Sequence, residues 1–143
     1  RLVGSEMCIR DRAECRLGND AGAREYLMDL MSKRDASYSC AQKSGTSMGK
    51  LTTDYTGSLL EEIITQRRIE LWGEFGRIYD IRRLKQGFKR TAEMGWPTDA
   101  LLVNRNANDP ESYMWVLTIP QTEFDGNSSL DQTKDQNPVG DTK

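Results

Sequence analysis

Residues 59–87 read LLEEIITQRRIELWGEFGRIYDIRRLKQG, and this stretch decides the fold of the chain. Its apolar side chains recur at three- and four-residue spacing, which is the period of an α-helix with one buried face. Ser58 and Glu61 form the pattern of a capping box, in which the serine oxygen accepts a backbone N–H and the glutamate reaches back to the cap. The sequence therefore predicts a long helix that begins at Leu59.

The predicted end of this helix lies at about Gln86. Basic side chains suit the negative pole of the helix dipole, and three of them stand here: Arg82, Arg83 and Lys85. Gly87 follows them, and glycine most readily adopts the left-handed conformation that turns the chain out of a helix. Both ends of the pattern thus agree with the periodicity between them.

The predicted helix has one charged residue in its apolar face. On a helical wheel Arg67 falls among seven apolar residues: Leu60, Ile63, Ile64, Leu71, Phe75, Ile78 and Ile81. A guanidinium in such a position is costly unless a carboxylate pairs with it. We therefore expect a buried ion pair of Arg67 with Glu70 or Glu74, one or two turns along the helix.

The other sides of the predicted helix are also partly apolar. Ile69, Trp72 and Tyr79 lie outside the main face, and a helix that is apolar on several sides is usually enclosed by neighbours. Gly73 and Gly76 weaken a helix by about 1 kcal/mol each relative to alanine, which close packing against another backbone would offset. Because a chain this short offers few such neighbours, we interpret it as a fragment of a larger protein.

A helical hairpin is predicted ahead of the long helix. Residues 13–18, AECRLG, end in a glycine suited to a helix C-terminus, and Asn19 is suited to cap the next helix. That second helix is predicted to run to about Arg34, with an apolar face at helical spacing: Ala23, Tyr26, Leu27, Leu30 and Met31. The two short antiparallel helices resemble one tetratricopeptide-like hairpin. Residues 37–57, rich in Ser, Thr and Gly, are predicted to be a surface loop.

The segment after the long helix is predicted to be irregular. The Trp96-Pro97 and Asp109-Pro110 pairs favour turns. Residues 114–119 are a short apolar run that suits either a strand or a buried extended segment. Pro120 suits the first position of a short helix over QTEF, and the polar tail from Asp125 onward is expected at the surface.

The first twelve residues, RLVGSEMCIRDR, have neither a helical stripe nor strand alternation. They resemble the sequencing-adapter read-through peptides that occur at the broken ends of metagenomic gene models. The alternative interpretation is a disordered natural N-terminus. Either interpretation excludes residues 1–12 from the fold and leaves residues 13–143 as the folded part.

Composition excludes several functional classes. The chain has no histidine, so Ser-His or Cys-His nucleophiles and His-ligated zinc are excluded. With 20 basic and 22 acidic residues the net charge is -2, which makes nucleic acid a poor partner. The three cysteines, Cys8, Cys15 and Cys40, show no C-x-x-C spacing, and buried thiols are expected rather than a metal site or a disulfide framework. No cofactor is predicted.

The long-helix sequence resembles the helix that SusD/RagB proteins have near their C-terminus, with its pattern E-R-R-x-E-L followed by E-G-x-R-x-x-D-L-x-R. Eight residues match it position by position: Arg67, Arg68, Glu70, Leu71, Glu74, Arg77, Asp80 and Arg83. This chain departs from the pattern at Gln66, Phe75 and Ile78, which replace a glutamate, a glycine and a frequent tryptophan. The family's closing signature is similar to Ile119-Pro120-Gln121 with Glu123, Asn127, Leu130 and Gln136-Asn137-Pro138, apart from an inserted DQTKD.

The resemblance implies a mainly α-helical, SusD-like fold of which this chain is the C-terminal part. It also implies a glycan-binding lipoprotein at the surface of the outer membrane, a SusC-like TonB-dependent transporter as partner, and no enzymatic activity. Aromatic side chains stack on the apolar faces of sugar rings, so Trp96, Tyr113 and Trp115 are the candidate glycan contacts. The lipid anchor would belong to sequence that precedes residue 13.

The charged positions of the long helix are predicted to form a structural ion-pair network: Arg67, Arg68, Glu70, Glu74, Arg77, Asp80 and Arg83. A glycosidase with Glu70 and Glu74 as paired carboxylates is disfavoured, because arginines neutralise both. The remaining alternative from another class is a tetratricopeptide-like scaffold that binds a protein and no sugar. Further upstream hairpin repeats would favour that alternative.

Overall fold

The structure, a computed structural model, describes residues 4–74, 76–87, 89–97, 109 and 112–139, with residues 4, 5 and 114 described by their backbone alone. Within these ranges the chain has no β-strand and is mainly helical: α1 (Gly4–Arg16), α2 (Asp20–Met31), α3 (Leu59–Glu70), α4 (Arg77–Leu84), α5 (Gln121–Gly126) and α6 (Gln132–Asp135). The predicted mainly α fold class is confirmed. The chain divides into two compact units, residues 1–80 and 81–143.

The helical hairpin forms the centre of the first unit. Gly18 adopts a left-handed φ of 82° after α1, and the Asn19 side chain accepts a hydrogen bond from the backbone N–H of Gly22 at 3.1 Å. Helix α1 packs against both α2 and α3. The apolar faces of these helices supply most of the core of the unit: Cys15, Ala23, Leu27, Leu30, Met31, Leu59, Leu60, Ile63 and Ile64. The predicted hairpin is confirmed, although α2 ends at Met31 and not at Arg34.

Residues 4–12 differ from expectation, because they form the first part of α1. Met7 and Cys8 are buried and cluster with Leu30 of α2. The helix that ends at Arg16 provides the nucleus, and adding residues to an existing helix is much easier than starting one. The expectation of a structureless segment is therefore wrong for these residues. Their origin outside the natural protein stays a prediction.

The start of α3 is capped as predicted, with one difference. The Ser58 Oγ accepts a hydrogen bond from the backbone N–H of Glu61 at 3.1 Å. The Glu61 carboxylate reaches back past the cap, and accepts from the backbone N–H groups of Gly57 at 2.7 Å and Thr56 at 2.8 Å. Because it binds these two earlier residues, Glu61 fixes the loop that enters the helix as well as the helix itself.

Glu62 ties the predicted loop over residues 37–57 to α3. Its carboxylate accepts hydrogen bonds from the Tyr38 hydroxyl at 2.7 Å and the Gln66 amide at 2.9 Å, and pairs with Lys43 at 3.2 Å. Although burial opposes the charge, these donors lower the pKa of Glu62. The departure of Gln66 from the family pattern has a physical role here, since an ionised glutamate at this position has no proton to donate to Glu62.

The single long helix predicted for residues 59–86 is wrong. The structure has two helices, because α3 ends at Glu70 and α4 begins at Arg77. Gly73 lies in the break with a left-handed φ of 82°, a conformation that ends an α-helix. A Cβ added at Gly73 would meet nothing within 4 Å, so close packing against another backbone, our explanation from the sequence, does not apply. Gly73 is therefore explained by the left-handed backbone conformation that ends α3.

Replacing Gly73 with alanine is expected to lower the free energy of unfolding by about 1 kcal/mol, because an L-residue is strained at this left-handed φ. Urea unfolding followed by circular dichroism measures the change. Gly76→Ala is the matched control: its φ is not in the left-handed region, and its new Cβ would come no closer than 4.0 Å to Arg67. Equal losses in the two variants would contradict this role of Gly73.

The end of α4 also differs from the prediction. The helix ends at Leu84, and Lys85 adopts the left-handed conformation with φ 49°. Gly87, which we expected to turn the chain, is absent from the positive-φ residues of the described chain. Arg82 and Arg83 do lie in the last turn, where the helix dipole favours positive charge.

In the second unit, side chains from the end of the closing signature bind the backbone at its beginning. The Gln136 side-chain amide bonds both backbone groups of Ile119, accepting from N–H at 2.8 Å and donating to C=O at 3.0 Å. The Asn137 amide donates to the carbonyl of Leu117 at 2.7 Å. The inserted DQTKD lies largely in α6, capped by Asp131, whose side chain accepts from the N–H of Thr133 at 2.9 Å. The hydrogen bonds of Gln136 and Asn137 therefore hold the two halves of the signature together across the insertion.

The apolar run at residues 114–119 is neither a strand nor a buried extended segment. It begins within a short 3-10 helix, Tyr113–Trp115, and continues as extended chain. Leu117 is 89% exposed, so the apolar sequence did not indicate burial. The short helix after it is confirmed as α5, with Pro120 at its N-cap and not at its first helical position.

Candidate functional site

Asp80 is the centre of the charged cluster in the first unit. It is 6% exposed, and one carboxylate oxygen accepts from Arg67 Nε at 3.0 Å while the other faces Arg12 Nη1 at 3.4 Å. The buried ion pair expected for Arg67 exists, but the expected partners, Glu70 and Glu74, are wrong. After the break at residues 71–76, Asp80 in the first turn of α4 lies beside Arg67 of α3.

The two glutamates have other surroundings. Glu70 pairs with Arg34, which follows α2, and Glu74 is exposed in the break. The ion pairs of Arg67 and Glu70 therefore join separate elements, and do not run along one helix as the sequence suggested. Because Glu70 is engaged by a guanidinium and Glu74 faces solvent, the arrangement does not resemble two carboxylates flanking a substrate.

A cavity of about 660 Å³ lies at the break between α3 and α4. Twelve residues line it: Tyr55, Thr65, Arg67, Arg68, Ile69, Leu71, Trp72, Gly73, Glu74, Gly76, Arg77 and Asp80. Phe75, which the sequence placed in the apolar face, lies outside the described residues. The cavity combines positive charge with apolar surface, and its size is in the range of ligand pockets.

Arg77 is the least satisfied charge in this cavity. Its Nη1 atom is buried and has no hydrogen-bond partner among the described residues. Burial, together with the positive charge of Arg68, lowers the pKa of Arg77 to about 10, although Asp80 acts in the opposite direction. Two guanidiniums thus stand close to each other at one wall. Arg83, the last member of the predicted network, lies in the second unit on the exposed side of α4.

The three aromatic candidates all lie in the second unit. Trp96 is 43% exposed and has the guanidinium of Arg90 over its ring, 4.2 Å from the centroid. Trp115 is half-buried and donates its indole N–H to the carbonyl of Asp109 at 2.8 Å. Tyr113 is half-buried in the same 3-10 helix as Trp115. Trp96 therefore offers the most accessible ring of the three.

Two other exposed aromatic residues were not predicted from the sequence as glycan contacts. Trp72 is 87% exposed and Tyr55 is 78% exposed, and both line the cavity. For Trp72, its position outside the apolar face of the helical wheel was the one feature of the sequence that could have indicated an exposed ring. Tyr55 lies in a polar loop, where nothing in the sequence distinguishes it from any other surface residue.

Other chemistries find no support in the part of the chain that the structure describes. No group of His, Cys, Asp or Glu side chains there has an arrangement that holds a metal ion. None of the described helices is both long and apolar enough to span a bilayer. Cys8, Cys15 and Cys40 are buried free thiols, and burial raises the pKa of Cys8 to about 11, which makes it a poor nucleophile.

Comparison with known proteins gives one match. The sequence model of the SusD family matches residues 11–138, which is most of the chain. It covers the last part of α1, all of α2, both helices of the charged cluster and the closing signature. No curated protein and no solved structure matches the chain.

Proposed function

Because the chain belongs to the SusD family, we propose that it is the C-terminal part of a glycan-binding lipoprotein of a SusC/SusD-type uptake system at the outer membrane. Its partner is a SusC-like TonB-dependent transporter, and its ligand is a polysaccharide or an oligosaccharide. The observation that carries this proposal is the length of the family match, residues 11–138, which leaves little of the chain for another function.

The proposed role is binding without catalysis. SusD proteins form a binding family, and three of the charged residues that match its pattern form ion pairs within this chain. Arg67 and Asp80 are bound to each other, and Glu70 is bound to Arg34. An acid or base that is paired in this way is not poised to exchange a proton with a substrate. Residues 13–143 are accordingly proposed as one part of a larger SusD-like domain.

Trp96 is the proposed main glycan contact. Tyr113 and Trp115, which follow later in the second unit, are proposed as additional contacts. A sugar ring has an apolar face that stacks on an aromatic ring and a rim of hydroxyls that needs hydrogen-bond partners. Trp96 is 43% exposed, and a sugar would stack on the face of its ring opposite Arg90. Arg90, which lies over this ring, is placed to donate hydrogen bonds to hydroxyls beside it.

A glycan array tests the proposal on the protein completed with its natural upstream sequence. The expected result is saturable binding to one class of plant, host or microbial polysaccharide, together with an upstream lipoprotein signal and a neighbouring transporter gene. The α1–α2 hairpin keeps one alternative open, a tetratricopeptide-like scaffold. If the protein binds no glycan on the array and further hairpin repeats lie upstream, the result would support the scaffold and contradict the glycan role.

A further inference from the structure

The cavity at the α3–α4 break has an unbalanced charge. The lining holds the guanidiniums of Arg67, Arg68 and Arg77 and the carboxylates of Asp80 and Glu74. Asp80 neutralises Arg67, and Arg68 and Glu74 are both exposed. The buried Nη1 of Arg77 has no hydrogen-bond partner among the described residues. A desolvated guanidinium without an acceptor is costly, and a second one beside it adds repulsion. One carboxylate between Arg68 and Arg77 would remove both costs, because a guanidinium binds a carboxylate through two parallel hydrogen bonds.

Among the described residues, the surface around these arginines is apolar and exposed. Trp72, Ile69 and Tyr55 are 87%, 56% and 78% exposed, and all three line the same cavity. Large apolar side chains grouped in this way mark a surface that another group covers. The cavity therefore fits an occupant with a negative charge set among apolar groups.

We propose that this cavity is filled, in the intact protein, by a polypeptide segment from outside these 143 residues, which places an Asp or Glu carboxylate between Arg68 and Arg77 and apolar side chains against Trp72. The inference rests on the proposed function insofar as it takes the chain as part of a larger protein. It adds a specific surface where the missing part docks, and the chemistry of the segment that docks there.

A polypeptide fits the described lining better than an acidic sugar. A sugar has a rim of hydroxyls, each of which needs a partner when it is enclosed. Tyr55 and Thr65 supply the only side-chain hydroxyls of the described lining. Among the lining side chains, Arg77 has the buried polar atom without a described partner, whereas Glu74 is exposed to solvent. The surface at Trp72 and Ile69 is apolar. A carboxylate flanked by apolar side chains meets both needs.

Replacing Arg77 with methionine in two proteins tests the inference: the 143-residue chain and the protein extended by its natural upstream sequence. In the 143-residue chain we expect the unfolding equilibrium constant to change by no more than about threefold, because an unpaired guanidinium is removed. In the extended protein we expect it to rise about a hundredfold or more, because the new partner carboxylate is left buried and unpaired. Urea unfolding measures both.

Two further variants make the comparison specific. Arg82→Met removes an exposed arginine of α4 and is expected to have a small effect in both proteins. Trp72→Ser is expected to be harmless in the 143-residue chain, where the ring is exposed, and destabilising in the extended protein. If Arg77→Met prevents folding of the extended protein while Arg82→Met does not, that result also counts as the expected loss.

Three outcomes would overturn the inference. Small effects of Arg77→Met and Trp72→Ser in both proteins would show that nothing covers the cavity. An Arg77-dependent rise of the 143-residue chain's unfolding midpoint with trigalacturonic acid would assign the cavity to an acidic sugar. Self-association that Trp72→Ser abolishes would assign it to a second copy. Glycan binding by the extended protein is scored separately, so the proposed function survives or fails on its own measurement.

Discussion

Replacing Asp80 with asparagine is expected to lower the free energy of unfolding of the chain by about 3 kcal/mol. The Asp80 carboxylate is almost fully buried and faces two guanidiniums, those of Arg67 and Arg12. Asparagine has nearly the same shape but no charge, so the variant leaves the half-buried Arg67 without its anion. Removing one member of a buried pair is costly because the desolvation of the other member is no longer offset.

Urea unfolding followed by circular dichroism measures this loss, and Glu74→Gln is the matched control. Glu74 is exposed in the break between α3 and α4, so the same change of charge there is expected to alter the free energy of unfolding by less than about 0.5 kcal/mol. A loss in Asp80→Asn no larger than that of the control would show that the pair does not hold α3 and α4 together.

Replacing Asp11 with asparagine is expected to stabilise the chain by roughly 2–4 kcal/mol at pH 8. Asp11 is fully buried, and its Oδ2 atom has no hydrogen-bond partner among the described residues. Burial raises the pKa of Asp11 from 3.8 to about 7, although Arg12 and Arg67 favour the charged form. The folded chain therefore binds this proton more tightly than the unfolded chain does.

The sign of the pH dependence follows from that difference. The unsubstituted chain is expected to lose stability as the pH rises from about 4 to about 7. Above that range Asp11 causes no further loss. Asp11→Asn removes this slope. Urea unfolding midpoints between pH 4 and pH 8 measure it, with the exposed Glu25→Gln on α2 as control. Parallel profiles for the natural chain and Asp11→Asn would contradict the burial of a titrating carboxylate.

The cost at Asp11 also bears on residues 1–12. The Oδ1 atom of Asp11 accepts a hydrogen bond from the backbone N–H of Arg12, but a buried oxygen without a partner, as Oδ2 is here, is uncommon in a natural core. Helix positions 7, 8, 11 and 15 share one buried face in α1, and an apolar residue at position 11 would complete it. Asp11 and Arg12 lie within the residues that the SusD family model matches, and the origin of the residues before them stays a prediction.

Periodicity predicted the helices well and the break poorly. The apolar spacing of residues 59–64 and 78–81 is continuous on one helical wheel, so the pattern contains no sign of a stop between them. Gly73 is tolerated within a helix at a cost of about 1 kcal/mol, and only its φ of 82° shows that it ends one. The hydrophobic pattern does not determine the backbone conformation of a glycine.

The break explains why the partner of Arg67 was not predictable. In one straight helix Arg67 and Asp80, which are thirteen positions apart, would be separated by about 20 Å, so only residues three, four or seven positions away were candidates. Arg34, the partner of Glu70, is farther away still in the sequence. What the sequence did predict is the requirement itself, because a guanidinium in an apolar face needs a carboxylate.

The candidate site was also predictable from the sequence only in part. The aromatic residues Trp96, Tyr113 and Trp115 were identified by their type, but exposure separates them, since Trp96 is accessible and the other two are half-buried. Gln136 was identified only through its family motif. Its pairing with both backbone groups of Ile119 depends on a turn of chain that no periodic pattern describes.

The central claim is that the completed protein binds a glycan through the aromatic surface of the second unit. Isothermal titration of that protein with the glycan selected by an array tests the claim most directly, with Trp96→Ala measured beside it. The account predicts saturable binding that Trp96→Ala weakens by about tenfold, because the loss of one stacking contact costs on the order of 1 kcal/mol or more. Absence of saturable binding by the natural protein would contradict it.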